Sequence, residues 1–198
     1  MGEVRLLPQA ILVTGTPGVG KTLVSKALTE RLGGYYLSVT DLAMKENLVL
    51  RADSERNTMV ADIRRLSNRI KAIICTSPFD VVVDGHYASD VVSSDLVSYA
   101  FVLRIHPDTL RERLRARDYS TEKVLENVAS EVLGVCLSDA VARFGVTKVD
   151  EIDVSHRAVA DIVEEILAVL TGRVEAGVGK VDWLGKWEEE RRLSEVFP

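Results

Sequence analysis

The sequence predicts an α/β fold: a central, mostly parallel five-stranded sheet with helices on both faces. Two observations carry this. Apolar runs of strand length alternate with stretches of helical periodicity along most of the chain, the pattern of strands joined by crossover helices. One such junction, AILVTGTPGVGKT at 10–22, passes from strand to helix through a glycine-rich loop.

Residues 10–13 are a short apolar run containing Ile and Val, which reads as a buried strand. Leu23, Val24, Ala27, Leu28 and Leu32 recur at helical spacing, and Gly33-Gly34 supplies a stop. A second strand follows over 35–39. Asp41 is placed to cap a short helix, 42–50, since its carboxylate can accept from an exposed backbone N–H. Met59, Ile63, Leu66, Ile70 and Ile73 form a helical stripe. DVVVD (80–84) is a buried strand and 99–105 another, and Pro107 begins a helix through about 117. Val124, Leu125, Val128 and Val132 belong to a long helix continuing toward 142. Residues 146–152 form the last strand and 158–170 the last helix, with Val159, Ile162, Val163 and Ile166 inward. No internal repeat or low-complexity segment interrupts this order.

Composition narrows the class. A chain of 198 residues with 46% hydrophobic and 28% charged residues is ordinary globular material with one domain as the default. No apolar run reaches membrane-spanning length and no signal-peptide pattern opens the chain, so a cytoplasmic protein is expected. Cys75 and Cys136 lack metal-site spacing and read as free thiols. A net charge of −5 argues against nucleic-acid binding, sequence-specific or general, and is compatible with a basic protein partner.

The loop GTPGVGKT (15–22) matches G-x-x-x-x-G-K-[ST] in full. Its glycines let successive N–H groups turn inward around a phosphate, and the following helix adds the positive end of its dipole. Lys21 can reach the terminal phosphates of a nucleoside triphosphate, and the Thr22 hydroxyl can ligate Mg²⁺. The alternative, a glycine-rich turn that happens to contain Lys, is disfavoured by the strand before and the helix after. A second stretch, DVVVDGHY (80–87), ends a buried strand where the phosphates must lie, which suits Asp84 to assist the metal. His86 follows two residues on. As a bare pair these also read as a strand-ending turn, since Asp-Gly is a turn signal. A third stretch, LRIHPDTLRERLRARDY (103–119), holds arginines at 104, 111, 113, 115 and 117. Arg113 with Arg117, and Arg111 with Arg115, are spaced for one helix face each. They read either as a phosphate clamp or as a solvated basic helix.

These motifs, with TDLA (40–43) and STEKVLENV (120–128), resemble the adenylate kinase isoenzyme 6 family in order and spacing from Ile11 to about Leu170. That family includes archaeal chains required for small ribosomal subunit maturation. The resemblance implies a nucleoside monophosphate kinase domain over 1–171. Its phosphate loop holds ATP through Gly18, Gly20, Lys21, Thr22 and the Leu23 backbone. Its monophosphate-binding region covers about 38–61, with Ser38 and Asp41 at the acceptor. Its short lid covers about 113–123, where Arg117 matches the arginine that touches ATP. Lys21, Asp84, His86 and Arg117 would be catalytic, with Thr22 and Asp84 at Mg²⁺. The implied activity is transfer of the terminal phosphate of ATP to AMP or another monophosphate, with ATP hydrolysis beside it. The implied partner is the platform protein of the small ribosomal subunit. Met44 stands where members often carry Arg.

Two other function classes compete. One is an assembly factor whose ATP hydrolysis times its grip on a ribosomal protein, with little metabolic kinase role. The other is a GTP switch, because TKVD (147–150) resembles a guanine-reading motif; that reading needs D-x-x-G after the third strand, and DGHY does not supply it. The tail, 172–198, has glycines at 172, 177 and 179, then Trp183 and Trp187 four residues apart. Both indoles would share one side of a short helix and need cover; docking of the tail onto the chain's own body is expected, with an anchor for a partner as the alternative.

Overall fold

A computed structural model describes residues 9–53 and 58–197 of the chain. Seven strands and nine α-helices are assigned among them. In chain order these are β1 (Ala10–Thr14), α1 (Lys21–Leu32), β2 (Tyr35–Ser38), α2 (Val39–Lys45), β3 (Val49–Asp53) and β4 (Thr58–Ala61). They continue with α3 (Ile63–Thr76), β5 (Val81–Asp84), α4 (Ala88–Val91), β6 (Val97–Arg104), α5 (Pro107–Arg115) and α6 (Thr121–Val132). The last are α7 (Val135–Phe144), β7 (Val149–Asp153), α8 (Val159–Leu170) and α9 (Trp183–Glu189).

Five strands form one sheet in the order β2-β5-β1-β6-β7, every pair parallel. This is the expected α/β architecture. Because side chains alternate across a strand, each strand feeds two cores. Ile11, Val13, Val82, Phe101, Leu103 and Ile152 pack on one face against α1, α5, α6 and α8. Ala10, Leu12, Val81, Val83, Ala100 and Val102 pack on the other against α2, α3, α4 and α7. Both faces covered explains why the strands are apolar runs rather than alternating ones. Strand β1 lies between β5 and β6, so the chain leaves it at the sheet's switch point, where a crevice opens beyond the carboxyl ends.

Four expectations for the elements need correction. The helix expected at 42–50 starts earlier, because Ser38 rather than Asp41 is the cap: its Oγ accepts from the Asp41 N–H at 3.1 Å. Asn47, with φ of 52°, lies just beyond its end, and an antiparallel hairpin of β3 and β4 follows. Met59 therefore belongs to a strand and not to the helical stripe. Asp62 starts α3 instead, its Oδ1 accepting from the Arg65 N–H at 3.0 Å. Residues 54–57, inside the expected monophosphate-binding region, and 1–8, inside the expected kinase domain, lie outside the described residues. The long helix expected through 142 is broken at Gly134, where φ is 65° and a Cβ would sit 3.2 Å from the Arg104 guanidinium. The last strand is preceded by a 3-10 turn over Val146–Lys148.

Beyond α8 the chain turns back along β7. The Gly177 carbonyl accepts from the Glu151 N–H at 2.9 Å, and the Gly177 N–H donates to Asp150 at 2.8 Å. Helix α9 then seats Trp187, fully buried, in the core beside α5 and α6. No helix among the described residues is long and apolar enough to cross a membrane.

Candidate active site

The phosphate loop runs from the end of β1 into α1. At Gly15 (φ 136°) a Cβ would collide with the Leu103 carbonyl, so the loop can lie against β6 only with glycine there. Gly20, also left-handed, starts α1. Gly18 completes the turn, and the Leu23 N–H donates to the Gly20 carbonyl at 3.1 Å. Lys21 folds over the loop: its Nζ donates to the Gly15 carbonyl at 2.8 Å and to the Thr16 carbonyl at 3.1 Å. Burial lowers the Lys21 pKa, while the carboxylates of Asp84 and Glu131 act in the opposite sense.

Asp84 closes β5 one strand away and is buried. Its Oδ2 accepts from Thr22 Oγ1 at 2.8 Å and from the Tyr36 hydroxyl at 2.9 Å. Burial, followed by the bond to Asp84, pushes the Tyr36 pKa up, so the phenol stays a donor. Tyr36 escaped the sequence reading because it sits in a second strand with no motif; only the strand pairing of Tyr36 with Val82, two residues before Asp84, brings it there. His86 follows at the strand end, its ring open to the cleft and edge-on to Tyr87 at 4.6 Å. Partial desolvation and the charges of Lys21 and Lys123 lower its pKa to about 4, leaving it neutral near pH 7.

In front of these groups lies a cleft of about 1170 Å³ whose walls include Thr16, Pro17, His86, Arg117, Lys123 and Cys136. Burial raises the Cys136 thiol to about 11, so it is no nucleophile at neutral pH. The arginine row is divided. Arg104 is buried in an ion pair with Glu131 and Glu151. Arg111 pairs with Glu195 at 2.8 Å, and Arg113 donates to the Val19 carbonyl of the phosphate loop at 3.0 Å. Helix α5 ends at Arg115, so Arg113 and Arg117 do not share a helix face; Arg117 reaches the cleft from the turn after the helix. The structure thus brings Lys21, Thr22, Asp84, His86 and Arg117 to one place. Ser38 and Asp41 are not on the cleft wall; Thr40 is.

The guanine-reading alternative fails on position. Lys148 donates to the carbonyls of Ser94 (3.2 Å) and Val97 (2.8 Å), and Asp150 pairs with Lys180 at 2.7 Å. Both lie where β7 begins, near the end of the sheet opposite the phosphate loop.

A parallel five-stranded sheet, a phosphate loop leaving its switch point and a strand-end Asp bonded to the loop's Thr define a P-loop protein with a kinase-like fold. A gluconokinase from Sinorhizobium meliloti shares that fold, with a TM-score of 0.51 at 22% identity, covering 85% of this chain and 95% of its own. The Deinococcus radiodurans tunicamycin resistance protein superposes with a TM-score of 0.55 at 18% identity, over 86% of this chain and 99% of its own. The AAA domain family matches residues 11–134. A protein of Methanocaldococcus jannaschii named "Putative adenylate kinase" is 38% identical over 177 residues, 89% of this chain and 94% of that protein. Its namesake from Thermococcus onnurineus is 38% identical over 179 residues, 90% of this chain and 93% of that protein. The chain belongs to this archaeal family of P-loop proteins.

Proposed function

We propose that the protein is a nucleoside monophosphate kinase, moving the terminal phosphoryl group of ATP to AMP or another monophosphate and hydrolysing ATP alongside. The observation that carries this is the bond from Thr22 to the buried Asp84, at 2.8 Å, beside a lysine on the phosphate loop. A hydroxyl and a carboxylate on adjoining elements are the oxygen donors Mg²⁺ takes from a protein when nucleotide phosphates supply others. Thr22 and Asp84 would hold the ion, and the ion would neutralise charge on the phosphates. The phosphate loop amides and Lys21 fix the triphosphate. An acceptor oxygen attacks the terminal phosphorus as the bond to the bridging oxygen breaks, leaving a diphosphate. Arg117, from the lid segment 113–123, supplies positive charge to the transferred group, while neutral His86 orients the attacking group or water. Ser38 and Asp41, in the region 38–61, contact the acceptor once that region closes.

A second reading has its own support: an ATPase assembly factor of the cytoplasm, acting in small ribosomal subunit maturation on the platform ribosomal protein. Asp90, Asp118, Glu122, Glu126 and Asp139 line the cleft and outnumber its cations Arg117 and Lys123. Such a wall suits a basic protein segment better than a second phosphate. Purified protein supplied with ATP and each monophosphate in turn separates the two. Diphosphate formation beyond phosphate release supports the kinase; phosphate release alone, whatever the monophosphate, overturns it and leaves the ATPase.

Substitution at the strand end adds a sharper check. Asp84→Ala should lower turnover roughly 100-fold and His86→Ala about tenfold, with ATP affinity changed far less, because both groups act on geometry of the reaction. Equal losses in affinity and turnover would reduce the pair to shaping the binding site.

A further inference from the structure

Beneath the phosphate loop runs a buried ionic chain that phosphate binding does not itself require. The Thr16 hydroxyl donates to Glu131 Oε2 at 2.5 Å. Glu131 Oε1 accepts from Arg104 Nε at 2.9 Å and from the Ile105 N–H at 3.0 Å. Arg104 Nη2 donates to the Glu131 carbonyl at 2.8 Å, and Nη1 donates to Glu151 Oε1 at 2.6 Å. Glu151 Oε2 in turn accepts from the N–H groups of Lys180 (2.7 Å) and Val181 (3.3 Å), in the tail. None of Thr16, Arg104, Glu131 and Glu151 is more than 3% exposed.

Charges so placed are a poor source of stability, since apolar side chains of like volume would serve as well. What they supply is direction. Three N–H donors fix the Glu131 carboxyl and backbone, and the free oxygen has one remaining use, to hold Thr16. Thr16 is held twice over, because its carbonyl also accepts from Lys21 Nζ at 3.1 Å. The threonine is therefore a peg joining the loop to α6, the helix that begins where the turn carrying Arg117 ends.

We propose that Glu131 is a positioning residue for nucleotide binding: through Thr16 it pins the phosphate loop, and the carbonyl that steadies Lys21, in the shape that receives phosphate. This rests on the reading of the loop as a nucleoside triphosphate site. Lost, the peg leaves the loop backbone free to relax before binding, and affinity falls while the core stays packed.

The experiment is a titration of the full chain with a fluorescent N-methylanthraniloyl-ATP in MgCl₂, alongside thermal melting, for the parent, Thr16→Val and Thr16→Ser. Thr16→Val keeps the shape and removes the hydroxyl, leaving one oxygen of the buried Glu131 carboxylate without its partner; it should weaken binding about tenfold and lower melting by roughly 3–10 °C. Thr16→Ser restores the donor and should return the affinity to within about twofold of the parent. Parent binding with an unaltered Kd for Thr16→Val overturns this inference alone, as does failure of Thr16→Ser to restore it. No binding by the parent overturns the nucleotide reading and this inference with it.

Discussion

Lys21→Ala should abolish the proposed ATP-dependent turnover, with an expected loss of at least about 100-fold, the scale on which removal of one preorganised charge donor acts. The lysine is the first residue of α1, and its Nζ lies on the Gly15 and Thr16 carbonyls at 2.8 and 3.1 Å. Those are weak neutral acceptors compared with a phosphate oxygen, so the ammonium can turn to a triphosphate at small loss. Burial lowers its pKa, which raises the gain from an anionic partner. Lys21→Arg should rescue little, because a guanidinium presents its donors as a fixed planar fork and not as the compact, freely turning charge of an ammonium. Turnover of phosphate by Lys21→Ala within threefold of the parent, measured as phosphate release and diphosphate formation, would remove the loop from the reaction. Melting is the control: Lys21 Nζ bonds only the carbonyls of its own loop, so its loss should shift melting little.

The candidate site was legible in sequence where its chemistry lies in contiguous residues. GTPGVGKT needs its glycines for backbone reasons and its Lys and Thr for chemical ones, so one stretch states both shape and use. Asp84 was legible because the apolar strand before it reports its depth in the sheet. Capping and turn residues carried less information than they appeared to. Ser38 and Asp41 are both good cap residues three apart, and only the bond between them shows which one serves. Periodicity at Met59 pointed to helix because one methionine fits a stripe as well as a short strand. The helical stripe over 124–132 carries no sign of the break at Gly134, whose backbone makes room for the Arg104 guanidinium.

The buried ionic chain left no local trace. Arg104 lies 27 residues from Glu131 and 47 from Glu151, and each alone resembles a surface charge on a strand or helix. In sequence Arg104 stands with the arginines of α5, yet it closes β6, and its guanidinium is held by Glu131 of α6 and Glu151 of β7. Long-range polar pairs become readable only when topology sets β6 beside β7 and lays α6 over their ends.

Trp187→Ala should destabilise the protein by about 3–5 kcal/mol, as truncation of a buried Trp does, and lower melting by roughly 10 °C at this chain length. The indole is fully buried against α5 and α6. Arg192 and Arg111 stand over its ring at 4.5 and 5.5 Å, and Arg192 also grips Asp108 through two bonds of 2.9 and 2.7 Å. The tail thereby holds the start of α5, the helix that leads to Arg117. Neither indole N–H has a partner among the described residues, so area and ring contacts carry the stabilisation rather than hydrogen bonds. That gives the prediction a second edge: Trp187→Phe keeps most of the area and should recover more than half of the lost melting temperature. Deleting 173–198 removes the Trp together with the two N–H groups on Glu151, and should lower melting further than Trp187→Ala. Melting of the shortened chain within 2 °C of the parent, measured with no partner present, would transfer the tail from the chain's own core to the surface of a binding partner.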